Sequence, residues 1–248
     1  MASLFPCLLA FFVGTDPGPP DEPLLVWVPT CCADRTAPQT LQAYDPQPGD
    51  LVLFSDYKPI EDFIYFLVHS GGITHSAIVV ARPNGTLALL EAPGLKYPVM
   101  LSDLPSRFRY YHGRIWVRRR LTPLSPGQSA CLTAFACAQE GKPFSVGSLV
   151  TPLFHHPLRK PGMGCVRPDE LDAPRWFCSD LVAAAGVAAG IMDPCVVWPR
   201  ATDPEDLKSD KVLDLSCGWD KPARYQPCCP RPPCWWSESC CGDRAWWK

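Results

Sequence analysis

Two strand-like segments, His75 to Ala81 and Thr86 to Glu91, are joined through Pro83-Asn84-Gly85. This hairpin signal restricts the chain more than any other feature, because it demands an antiparallel pair with one specific register. Two loop lengths fit the text. A two-residue Asn-Gly turn pairs Pro83 with Thr86 and Arg82 with Leu87, which puts Glu91 opposite Ile78 and on the face away from His75. A three-residue loop with a left-handed Gly85 pairs Arg82 with Thr86 and puts Glu91 opposite Ala77. In that register Glu91 and His75 are diagonal neighbours on one face, roughly 7–8 Å apart between backbones. Proline at the first turn position favours the second register.

Other elements follow from similar signals. Asp50-Leu51-Val52-Leu53-Phe54 is an apolar run after a Pro-Gly turn and suits a buried strand. Tyr57 to Ser70 carries Ile60, Phe63, Ile64 and Leu67 at helical spacing, with Pro59 in the first turn and Gly71-Gly72 as the stop. Arg107 to Arg120 reads as a further strand, with Tyr111, Ile115 and Val117 inward and basic residues facing water. Ser125 caps a helix opened by Pro126 and running through Leu132, Phe135 and Ala136 to Glu140, which Gly141 stops. Lys142 to Arg175 is loop-like, and Cys178 to Gly190 is an alanine-rich helix with Leu181, Val182 and Val187 as core contacts.

At 248 residues with 47% hydrophobic and 19% charged residues, the chain can bury one substantial core. The 30 prolines concentrate toward the ends, where they oppose regular structure. The division expected is therefore a hydrophobic, Pro-rich arm over 1–45, one folded domain over 46–205 and a Cys/Pro/Trp-rich tail over 206–248. A net charge of -2 gives no electrostatic reason to expect nucleic acid as a partner. The apolar run from Met1 to Val13 is too short to span a bilayer. It has the apolar stretch of an export signal without a basic start or a small-x-small cleavage site, so the compartment stays open between envelope or secreted and cytoplasmic. The 14 cysteines show no repeating spacing, and Cys131 and Cys137 are expected in the core.

The chemistry rests on Thr74-His75-Ser76-Ala77-Ile78-Val79, Leu89-Leu90-Glu91-Ala92 and Phe177-Cys178-Ser179-Asp180-Leu181-Val182. A cysteine opening a helix feels the helix dipole and unpaired amides, which favour thiolate, and the same amides can cradle an oxyanion. A histidine within reach takes the thiol proton and returns it to the leaving group, and a carboxylate on its other nitrogen fixes the tautomer. These segments, with Gly49-Asp50-Leu51-Val52, resemble the permuted NlpC-type papain-like family, in its YiiX/YaeF-like branch of cysteine amidases, over roughly 48–192. The resemblance implies an α+β domain in which a small antiparallel sheet or barrel, packed against helices, presents His75 as base and Glu91 as its orienting acid to the helix bearing the nucleophile Cys178. It implies amide hydrolysis, with some relatives acting on lipid acyl groups; the route expected is an acyl-enzyme on Cys178 with no cofactor or metal. The family more often has Glu where Asp180 stands.

Rival signals are weaker. His69 ends an apolar helical pattern and suits a C-terminal dipole partner. His155-His156 lacks neighbours to complete a metal set, and Cys228-Cys229, Cys234 and Cys240-Cys241 lack the gaps of zinc knuckles. Asn84-Gly85-Thr86 matches a glycosylation acceptor, though a tight turn explains it equally. Trp235-Trp236 and Trp246-Trp247 could anchor at a membrane surface or a partner. The substrate expected is a peptide, a cell-wall fragment or another small amide. A lipid ester or amide acted on by an acyl hydrolase or acyltransferase, with the apolar 149–154 loop as its wall, is the alternative, and a non-catalytic binding module of the same fold is the third.

Overall fold

The computed structural model describes residues 23–29, 39–55, 72–111, 113–145 and 164–226. The helix expected over Tyr57 to Ser70, His69, His155-His156, the 149–154 loop, the N-terminal apolar run and the Trp-rich tail lie outside them. Among the described residues, eight strands form one antiparallel sheet in the order β2-β1-β8-β7-β3-β4-β5-β6. They are β1 (Leu24–Pro29), β2 (Gln39–Tyr44), β3 (Leu51–Ser55), β4 (His75–Ala81), β5 (Leu87–Glu91), β6 (Met100–Asp103), β7 (Arg114–Arg118) and β8 (Ala223–Gln226). The fold is α+β, its sheet curled into a half-barrel. The sheet takes in strands on both sides of the 46–205 span, since β1 and β2 precede it and β8 follows it, wedged between β1 and β7.

The β4–β5 hairpin adopts the three-residue loop. Arg82 N donates to Thr86 O at 2.8 Å, Gly85 has φ +83°, and Glu91 pairs with Ala77. Asn84 Oδ1 accepts from Thr86 N at 3.1 Å and from Thr86 Oγ1 at 2.8 Å, so its side chain closes the turn.

Alternation along the strands splits the core into two layers. Leu51, Leu53, Ile78, Val80, Ala88 and Leu90 point to one face, covered by α2 (Pro126–Gln139) and α3 (Cys178–Ala188). Val52, Phe54, Ala77, Val79 and Leu89 point to the other, covered by Leu104 and Phe108 of α1 (Leu104–Tyr110) and by Tyr225. In α3 every residue from Cys178 to Gly186 is buried. Its small Ala183, Ala184 and Ala185 let the helix axis lie close to β4 and β5, with Leu181 fully enclosed between them. Truncating such a leucine typically costs about 2–5 kcal/mol. The α2 cap is as expected: Ser125 Oγ accepts from Gln128 N, and the Gln128 side chain accepts from Ser125 N.

One expected strand is shorter than its pattern. Among the described residues of Arg107 to Arg120, the strand is Arg114–Arg118, and Arg107 to Tyr110 belong to α1. Asp103 caps that helix by accepting from Ser106 N at 3.0 Å, Pro105 sits in its first turn, and Arg107 and Arg109 occupy its last turn, where cations favour the dipole. Leu104 and Phe108, four apart, bury one side of it. The basic residues do not all face water either. Arg118 is fully buried and donates to Asp220 O, Leu207 O and Asp210 Oδ1, binding β7 to the 207–220 segment that includes the end of α4 (Pro204–Lys208).

The 142–175 stretch carries structure at its described ends. A bridge pairs Phe144 with Trp176, Pro168–Leu171 forms a 3₁₀ turn, and Cys165 is disulfide-bonded to Cys195. Cys131 is exposed and Cys137 half-buried, so neither is the core residue expected: both fall on α2 away from the Leu132, Phe135 and Ala136 stripe that meets the sheet.

Candidate active site

His75 is the first residue of β4, and alternation puts its ring on the face of Ala77 and Val79, against Phe54 at a centroid distance of 5.3 Å. Glu91 is the last residue of β5 and pairs with Ala77, two positions along. Their side chains span the diagonal, and His75 Nε2 donates to Glu91 Oε2 at 2.7 Å. Cys178 arrives from the opposite layer. It is the first residue of α3, preceded by the extended Phe177, and it is a free thiol. Because His75 stands at the very start of its strand, the helix end can reach the ring past the strand terminus. With Nε2 committed to Glu91, Nδ1 is the nitrogen left for Cys178. The three sequence-predicted site residues are thus brought together.

Their burial sets the electrostatics. Cys178 is 2%, His75 8% and Glu91 1% exposed. Burial disfavours the imidazolium, but hydrogen bonding to Cys178 and to Glu91 outweighs it and lifts His75 from 6.5 to about 9. Burial likewise pushes the Glu91 carboxyl up. The Arg107 guanidinium, then His75 and Ser102, more than reverse this and hold it near 2.

Two of those partners escape a reading of the sequence alone. Arg107 Nε and Nη2 donate to Glu91 Oε2 at 3.2 and 3.1 Å, and Ser102 Oγ donates to Glu91 Oε1. Arg107 falls in a segment whose alternation reads as strand, although Asp103-Leu104-Pro105 carries the cap and first-turn signal of a helix. Ser102 lies on β6, whose pairing with β5 no local signal announces.

First-turn amides have no partner inside their helix, and the helical ladder here includes the bond from Leu181 N to Phe177 O at 3.0 Å. Ser179 Oγ donates to Thr202 O at 2.7 Å, which fixes this end of the helix to the loop before α4. A separate open groove of about 770 Å³ lies between α2 and the far end of α3, lined by Phe135, Leu171, Val187 and Pro194, and none of the three site residues lines it. Among the described residues no group of three or more His, Cys, Asp or Glu is arranged to hold a metal ion, and no helix is long and apolar enough to cross a membrane.

The arrangement defines a buried thiol, imidazole and carboxylate in series on an α+β scaffold. No protein-family model matches the chain, and no curated protein matches it. Among solved structures, the chain is similar to the metalloprotein yiiX from Escherichia coli O157:H7 (DUF1105), with 20% identity, a TM-score of 0.43 and coverage of 72% of this chain and 88% of that one.

Proposed function

We propose that the protein is a cysteine hydrolase of the permuted papain-like kind, cleaving an amide bond in a peptide or cell-wall fragment. The observation that carries this reading is the placement of one imidazole between a free thiol at a helix N-terminus and a carboxylate held ionised. His75, lifted to about 9, holds its proton at neutral pH, so in the first step sulfur attacks the substrate carbonyl carbon as the anion of a thiolate–imidazolium pair. The negative charge that moves onto the carbonyl oxygen is met by first-turn amides of α3, an arrangement in which one donor is typically worth about 2.7–4 kcal/mol. His75 then gives its proton to the leaving nitrogen as the C–N bond breaks, and an acyl-enzyme remains on sulfur. Water, losing a proton to the same ring, attacks the thioester, and collapse breaks the C–S bond and restores the thiolate beside the imidazolium. Glu91 holds the tautomer and stabilises the imidazolium throughout.

The test is alkylation by iodoacetamide at pH 6, quantified for each cysteine by peptide mass mapping, in the parent and in His75→Ala. Cys178 is expected to react in the parent and to lose about a hundredfold in rate without His75. Inertness in the parent, or indifference to His75, favours the non-catalytic binding module.

A further inference from the structure

We infer that Arg107 and Ser102, delivered together by the β6–α1 junction, are positioning residues that clamp both oxygens of Glu91 and keep it a charged acceptor for His75. This rests on the hydrolase reading for its catalytic consequence, but the clamp itself is a matter of geometry and charge.

Glu91 is 1% exposed, and a carboxyl so enclosed tends to take up a proton and become neutral. A neutral Glu91 would turn from acceptor into donor and lose its hold on an imidazolium. Among the described residues, the groups facing the carboxylate are His75 from β4, Ser102 from β6 and Arg107 from α1, with Cys178 beyond the imidazole. Oε1 is taken by Ser102. Oε2 is shared between His75 and two nitrogens of Arg107. A carboxylate with both oxygens engaged from different elements cannot rotate without breaking bonds, so Oε2 stays aimed at Nε2.

Arg107 is itself fixed. Its guanidinium carbon lies 5.0 Å from the centroid of the Phe54 ring and 5.2 Å from that of Tyr111. Phe54 also packs on His75, so a single ring lies against both cation-bearing side chains. The Asp103 cap sets the start of α1, one turn before Arg107, and Ser102 is the residue immediately preceding that cap. One short stretch, Ser102-Asp103-Leu104-Pro105-Ser106-Arg107, therefore supplies both clamps.

The experiment follows the Glu91 carboxyl by ¹³C NMR across pH in the full-length parent, Arg107→Met, Arg107→Lys and Ser102→Ala. Methionine keeps an apolar stem over Phe54 and Tyr111 but removes the charge, and the Glu91 midpoint is expected to rise by about 1–3 pH units. Lysine restores the charge without the fork, and a smaller rise is expected. Ser102→Ala is expected to raise the midpoint less than Arg107→Met. An unmoved midpoint in Arg107→Met overturns the inference, as does a lysine variant no better than methionine, because either excludes charge as the cause. Cys178 alkylation at pH 6 on the same proteins separates this from the hydrolase reading. A shifted Glu91 beside an inert parental Cys178 removes the hydrolase and leaves the clamp. An unmoved Glu91 beside a His75-dependent Cys178 does the reverse.

Discussion

His75 and Glu91 share a hydrogen bond of 2.7 Å without being cross-strand partners: Glu91 pairs with Ala77, while His75 pairs with Phe54 on the other side of β4. The contact exists because the hairpin loop has three residues. A one-residue slip would send Glu91 to the opposite layer.

The loop itself can therefore be tested. Gly85 sits at φ +83° with nothing within 4 Å of the point a Cβ would occupy, so Gly85→Ala meets no clash and costs only backbone strain. A loss of about 1–2 kcal/mol is expected for an alanine held in the left-handed region. Urea denaturation of the two proteins measures it, and a loss below a few tenths would show that the turn had relaxed to another geometry.

Glu91→Gln keeps the shape of the side chain and removes its charge. His75 then loses an anionic partner, and Arg107 is left facing a neutral amide. The His75 midpoint, about 9 in the parent, is expected to fall, and Cys178 alkylation at pH 6 to slow by about 10²-fold. Imidazole ¹⁵N NMR follows the first and peptide mapping the second. An unchanged His75 midpoint would remove Glu91 from the relay.

The same two groups shape the pH dependence of stability. Glu91 has a depressed pKa, 4.5 falling to about 2, so its contribution is present above 4.5 and lost as pH falls through 2. His75 is raised from 6.5 to about 9, so its contribution is full below 6.5 and lost as pH rises through 9. Denaturation midpoints are expected to decline between pH 6.5 and 9, and His75→Gln to flatten that decline. A decline of equal size in the variant would assign it to other groups.

Asp50 gives a second, structural titration. Burial raises its carboxyl from 3.8 to about 6, against hydrogen bonds from Arg120 N, Gln47 N and Tyr44 Oη. A raised acid contributes fully below 3.8 and loses that contribution as pH rises through 6. Asp50→Asn is expected to remove this slope while costing about 1–3 kcal/mol, because its amide NH₂ would face one of those donors. Urea melts at pH 4 and 7 distinguish the two effects.

The Cys165–Cys195 bond closes a separation of 30 residues and joins the chain before the 3₁₀ turn to the loop after α3. Replacing both cysteines by serine is expected to lower stability by about 2–4 kcal/mol. Val166, whose amide donates to Pro194 O at 2.9 Å, should show the faster amide exchange that follows loss of the clasp. An unchanged exchange rate there would mean the segment is held by its packing alone.

Much of this protein is local in origin and so was determined by its sequence. Proline at 83 fixes its own φ and Gly85 enters the left-handed region at little cost, so together they favour the register that puts His75 and Glu91 on one face. Ser125 with Gln128 starts α2 because a capping box acts within one turn, and the alanine-rich run after Phe177 has the local helix propensity that forms α3. What lies beyond that range was decided by tertiary structure. Arg107 reaches Glu91 only because β6 pairs with β5 and turns at Asp103 into a helix, and alternating basic residues suit a strand surface equally well by pattern. The 206–226 stretch looks polar and irregular, yet it enters the sheet as β8 and gives buried Arg118 its acceptors, since strand partners far apart in sequence leave no local mark. The distance between Cys178 and His75 belongs to this second class. It depends on which layer α3 packs against and on where β4 begins, and only the assembled core determines both.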